Sequence, residues 1–313
     1  MDLKALWLGW RRDIIRFVAL CSAALVLGLV INHLVGRARQ ARQQLTGMLP
    51  RGLGGLMSGL DDAADSAVGP LATGATWTYR APVAPRQWVW IRDRSGSVTV
   101  EPTSGDSLEV SAVKRFGHSD PGTVRIVAAP GSDGITICAL WGRGDRDNRC
   151  GPGEAYHQRH VSHNDVRVNF TVRLPRGVAI GATTVSGAVR VVGASAPVVA
   201  GTVSGDVQAE TARGPVNAYS VNGSVRASMR GFADTGQVKV MTVNGAVTVE
   251  LPARIDAAVD ANTVNGTIES DFPLTVGSKF VAHHAAGTLG AGGRRIELNS
   301  VNGSIRLKRI GQK

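Results

Sequence analysis

The sequence predicts an all-β protein: a β-solenoid-like stack of short strand and Gly-turn repeats, preceded by one N-terminal transmembrane helix. Three observations predict it. A hexapeptide of the form Thr/Ser-Val-Ser/Asn-Gly-x-Val/Ile recurs six times in the second half, glycine supplies 39 of 313 residues, and aromatic residues supply only 5%. Beyond residue 77 no helical apolar period appears, and runs of Val, Ile and Thr alternate instead with Gly, Pro, Asp and Asn. With 43% apolar and 19% charged residues the chain is too apolar to be disordered. Its glycines lack the every-third spacing of collagen. Three cysteines in this length exclude a disulfide-built scaffold.

Residues 14–35 read IIRFVALCSAALVLGLVINHLV, and 17–31 carry no charge. At about 1.5 Å per residue the stretch reaches about 33 Å, enough for a hydrocarbon core of about 30 Å. Arg16 can snorkel outward, and Trp7 and Trp10 fall where amphipathic rings favour the interface. No small-residue cleavage site follows; GRARQARQQ continues the chain as a polar helix, so an uncleaved anchor is expected over a signal peptide. Cys21 lies within the apolar stretch behind Leu20, which does not fit a lipidation site. Lys4, Arg11, Arg12 and Arg16 on one flank are matched by Arg37, Arg39, Arg42 and Arg51 on the other, so charge alone does not orient the span. The expected organisation is an anchor at 1–36, a Gly/Ser/Ala-rich linker at 37–76, a strand-rich region with a cysteine loop at 77–176, and the repeats at 177–313.

The net charge of +11 would suggest a nucleic-acid binder if it were concentrated on the folded part. It is not. Residues 1–60 hold eight basic and two acidic side chains, whereas 180–290 hold seven basic and eight acidic. Neither basic region interleaves stacking aromatics, and no nucleic-acid partner is expected.

The repeats lie at 184–189, 202–207, 220–225, 242–247, 263–268 and 300–305. Their glycines, Gly187, Gly205, Gly223, Gly245, Gly266 and Gly303, are 18, 18, 22, 21 and 37 residues apart. The widest gap suggests two coils, with a degenerate seventh copy at Gly287 and Leu289; a half-period copy at Gly214 and Val216 suggests two strands per coil. After each glycine come a small or polar residue, then Val or Ile, then a polar residue: Arg190, Gln208, Arg226, Thr248, Glu269 or Arg306. This period of two puts the branched residue inside and the polar one in water. The position before the glycine holds Ser186, Ser204, Asn222, Asn244, Asn265 and Asn302. Asn tolerates left-handed backbone, and like residues in successive coils can form a hydrogen-bonded ladder. The alternative is a meander of hairpins, for which Val-Asn-Gly-Ser-Val is also a signal. Residues 77–174 would cap one end of a stack, and the basic LKRIGQK tail would blunt the other.

Cys138 and Cys150 stand twelve residues apart in ICALWGRGDRDNRCGPG. A disulfide there would imply an oxidising compartment; two free thiols, or a metal site with His157, His160 and His163, are the other readings. Arg143-Gly144-Asp145 arises easily in such a loop. The sequons beginning at Asn222, Asn265 and Asn302 are already explained as turns, and His283 and His284 read as solvated loop residues. No cofactor is expected.

TVSGDV, SVNGSV and TVNGTI, the lead-in VRLPRGVAIGATTVSGAV and the earlier RSGSVTVEPTSGDSLEV together resemble the putative adhesin family of bacterial envelope proteins, over roughly residues 88–308. The resemblance implies a β-repeat domain of unknown function, often behind a membrane segment, without established enzymatic activity. The expected function is therefore non-enzymatic: an integral cell-membrane protein, single-pass, with its C-terminal domain extracytoplasmic. That domain would bind a protein or envelope polymer, or self-associate through its end coils. The alternative is an accessory or sensory component of an envelope-stress pathway. A carbohydrate-active solenoid would need paired carboxylates and aromatic platforms on one face, which the repeat columns do not supply.

Overall fold

In the computed structural model the described residues are 71–142, 148–151, 161, 163–232, 236–279 and 282–311. The expected membrane span and most of the linker lie outside them, as do His157, His160 and the Arg143-Gly144-Asp145 triplet. Among the described residues no helix is long and apolar enough to cross a membrane.

The described chain is all-β. It begins with β1 (Ala72–Pro82), β2 (Trp88–Arg92), β3 (Val98–Pro102), β4 (Ser107–Phe116), β5 (Val124–Gly131), β6 (Gly134–Trp141) and β7 (Arg167–Leu174). Four strand pairs follow: β8 (Ala179–Thr183) with β9 (Val189–Ala194), β10 (Val198–Gly201) with β11 (Val207–Thr211), β12 (Val216–Asn222) with β13 (Val225–Met229), and β14 (Val238–Asn244) with β15 (Val247–Leu251). The chain ends with β16 (Ala257–Asn265), β17 (Ile268–Ser270), β18 (Thr275–Lys279), β19 (Ala282–Leu289), β20 (Arg294–Asn302) and β21 (Ile305–Arg309). Two mixed sheets result. Sheet A runs β1-β4-β7-β3-β9-β11-β13-β15-β21-β17, and sheet B runs β18-β19-β16-β20-β14-β12-β10-β8-β2-β6-β5.

Each repeat contributes one strand to each sheet, and like strands of spatially adjacent repeats pair in parallel. Val189, Val207, Val225, Val247 and Ile305 are thereby stacked in register along sheet A. All five are at most 2% exposed. Ile180, Val198, Val216, Val238 and Ile296 belong to the facing core column of sheet B. Burying one such side chain contributes about 1.5–3 kcal/mol, so the column supplies much of the driving force. Parallel pairing rules out the hairpin meander for the repeats, because a two-residue hairpin can only join antiparallel neighbours.

Four expectations need correction. Gly287 is not a seventh turn: it lies within β19, which runs antiparallel to β16. The tail does not blunt an end, since β21 lies between β15 and β17. The linker is shorter than 37–76, because β1 begins at Ala72, where Ala72 and Thr73 already pair with Phe116 and Arg115 of β4. The Asn residues of the turns do not adopt left-handed backbone; the described non-glycine residues with positive φ are Arg86 and His163.

The coil order departs from the chain order at both ends, in the same way. Hairpin β18–β19 covers the outer edge of β16. The edge of β16 left to the returning chain is the inner one, and β20 enters there, between β16 and β14. At the other end β2 and β3 lie inside β6 and β7, while β5 pairs antiparallel with β6, and β4 with β7. The first and last coils are each second from an end of the stack.

Candidate binding surface

The turn between the two strands of a coil fixes what the surface can present. A Cβ at Gly223 would lie 1.9 Å from the carbonyl oxygen of Gly205, and one at Gly303 1.9 Å from that of Gly245. Coils this close admit only glycine, and Gly223 also has φ +157°. Gly96, between β2 and β3, belongs to the same column: a Cβ at Gly187 would meet its carbonyl at 2.0 Å. The segment around Gly96 is therefore a further coil turn rather than a plain strand lead-in.

Two hydrogen-bonded columns flank the glycines. On the solvent side the Asn residues form a ladder: Asn244 donates to Asn222 at 2.7 Å, Asn302 to Asn244 at 2.7 Å and Asn265 to Asn302 at 2.8 Å. The ladder follows the spatial order of the coils. On the inner side stands a column of buried hydroxyls. Thr202, Ser220, Thr242, Ser300 and Thr263 donate to the carbonyls of Gly187, Gly205, Gly223, Gly245 and Gly303 at 2.7–3.1 Å. The signal was the first position of the hexapeptide, which is Thr or Ser in all six copies. In the β2–β3 coil the place taken by Thr184 of the next coil holds Asp93. Asp93 is fully buried, accepts from Thr184 Oγ1 at 3.3 Å, and is pushed up to about 8 by burial, so it holds its proton at neutral pH.

The outer face of sheet A continues from the Asn ladder. A column of small residues, Ala188, Asp206, Ser224 and Ala246, runs beside Arg190, Gln208, Arg226 and Thr248, and together they line a shallow groove of about 430 Å³. Its polar side chains are tied to neighbours on adjacent coils. Arg190 donates to the Gln208 amide, Arg226 pairs with Glu250, and Arg306 beyond it pairs with Glu269 at 3.0 Å. Asp206 accepts from the Ser224 N–H at 2.8 Å, which ties one coil to the next. This face offers a repeated array of hydrogen-bond donors and acceptors suited to an extended ligand lying across the strands.

The outer face of sheet B differs. Trp88 and Trp90 stack with centroids 4.9 Å apart, and the Arg92 guanidinium lies 4.6 Å above the Trp90 ring. Gly181 and Gly201 make room for flat rings: a Cβ at either would lie 1.9 Å from Trp90 or Tyr219. Burial raises the Tyr219 phenol above its ordinary range. Cys138, in β6, is bonded to Cys150, with Cα atoms 5.8 Å apart. The bridge fastens the returning segment to a strand near the end of the stack. His163 is far from a ligand set; among the described residues no group of three potential ligands gathers. His283 and His284 lie on β19 rather than in a loop, and His284 Nδ1 is 2.8 Å from Asn262 Oδ1.

Residues 162–308 match the family described as Toastrack DUF4097. The match covers the repeats that carry the resemblance, from β7 into β21. Solved structures that this chain matches include a putative cell adhesion protein from Clostridium sporogenes, 14% identical over 75% of this chain and 100% of that one, with a TM-score of 0.42. Putative adhesins from Bacteroides fragilis and Parabacteroides distasonis are 9% and 13% identical. They cover 75% and 76% of this chain and 97% and 98% of their own, with TM-scores of 0.22 and 0.21. No curated protein matches the sequence.

Proposed function

We propose that the chain is a non-enzymatic, membrane-anchored envelope protein whose solenoid-like β-repeat domain binds a surface or scaffolds an envelope polymer. The apolar segment at 14–35 would hold it in the membrane, with the domain on the extracytoplasmic side. A Cys138–Cys150 disulfide supports that side, because such bridges persist in oxidising compartments. The observation that carries the reading is the outer face of sheet A. There the groove and the Arg/Gln column repeat coil after coil, flanked by the Asn ladder at the ends of the sheet B strands, which suits a long periodic partner better than a small molecule. Co-sedimentation of the detergent-solubilised full chain with isolated cell-wall polymer tests it. The expected result is retention of the wild type and at least tenfold weaker retention of a folded Arg190→Glu/Arg226→Glu variant. Equal retention of the two, or none of the wild type, would overturn the reading.

A further inference from the structure

Four strands are outermost among the described residues, and three of them are poor templates for pairing. β17 has three residues, β18 has five with Lys279 at its end, and β5 carries Pro130 and Arg125. β1 is different. It has eleven residues, ATGATWTYRAP, with one charge and with proline only at its last position. From Thr76 to Pro82 it runs in unbroken register on β4, so every second residue of this stretch turns its N–H and C=O away from the sheet. Its charge is no barrier, because Arg80 is held by Glu109 at 2.6 Å. Trp77 and Tyr79, stacked at 6.0 Å, pack against the core yet stay only half-buried, since no strand lies beyond them.

We infer that β1 is a self-pairing edge: two copies of the chain join antiparallel through β1 about a two-fold axis at Thr78. A two-fold pair needs a surface complementary to itself, and this register supplies one. It sets Trp77 opposite Tyr79 of the second copy twice over, continuing the apolar layer of sheet A, and cross-strand aromatic pairs of this kind stabilise sheets. On the solvent face it sets Thr78 opposite Thr78 and Thr76 opposite Arg80. An axis at Arg80 would instead oppose like charges.

The register makes the test specific. In the full chain with Cys21→Ser, Thr78→Cys should be trapped as a covalent dimer under mild oxidation, and Arg125→Cys on the β5 edge should not. In sedimentation of the detergent-solubilised chain, Thr76→Arg should weaken the dimer about tenfold by facing Arg80 with a like charge. Thr76→Glu should strengthen it severalfold. Thr76 is exposed, so neither change threatens the fold. A monomeric wild type, a dimer indifferent to the sign at 76, or equal trapping at 78 and 125 would overturn the inference.

Discussion

In the middle of the stack, from β8 to β15, coils follow one another in chain order and every pairing is parallel; at both ends the order of coils is exchanged, and antiparallel strands finish both sheets at the N-terminal end and sheet B at the other, where sheet A finishes on the parallel β17. The middle is held by repetition. Glycine contact, hydroxyl donation and apolar stripe recur at each level, so each coil is specified by the one before it. The ends are held by capping hairpins, which decide where the terminal coils can go. A stack of identical coils has no internal reason to stop, and here the exchange supplies one.

The largest expected effect contrasts a glycine from each region. Gly223→Ala in the middle should abolish folding or lower Tm by more than about 10 °C, because its Cβ would meet backbone, which cannot move aside cheaply. Gly277→Ala in the β18 hairpin meets nothing within 4 Å and should change stability by under about 0.5 kcal/mol. Thermal denaturation followed by circular dichroism would separate them.

The next effect belongs to the N-terminal end. Replacing Cys138 and Cys150 by Ala should cost about 2–3 kcal/mol, measured by denaturant titration, with hydrogen exchange rising in β5 and β6 before β12 to β15.

Asp93 is where the hydroxyl column meets that end, and its effect depends on pH. The folded state keeps the proton up to about pH 8, whereas the unfolded chain loses it near 3.8. Its contribution is therefore complete below about pH 4, falls as pH rises toward 8 and levels off above that. Asp93→Asn should remove this slope and raise Tm by several degrees at pH 8, with little change at pH 4.

The smallest effect reads the Asn ladder. Asn244 both donates and accepts, so Asn244→Ala should cost about 1 kcal/mol, while Asn265→Ala at the last rung should cost about half of that. Equal costs would mean that the ladder contributes nothing as a series.

The middle was legible in the sequence because its residues answer to a local rule: Gly where coils touch, Val or Ile inward, a polar residue outward. The coil order was not. The hexapeptide at 300–305 is the same whether its coil lies last or next to last, and the choice is made by β18 and β19, whose antiparallel pairing no repeat encodes. Asp93 was hidden for a related reason: with Asp93 in place of Thr or Ser and Arg94 in place of Val, DRSGSV no longer matches the hexapeptide, although Gly96 occupies the glycine column. On the binding face, single residues were readable but their pairing across coils was not. Arg226 meets Glu250 one level away only because β13 and β15 are neighbours.

The exchanged coil order is tested most directly by cysteine trapping at sheet A. Thr248 is the register partner of Arg306, and Glu269 lies one strand further out. With Cys21→Ser as background, Thr248→Cys/Arg306→Cys should be oxidised to an intramolecular crosslink, and Thr248→Cys/Glu269→Cys should not. Efficient trapping of 248 with 269 and none with 306 would mean that the coils follow the chain to its end, and would contradict the account.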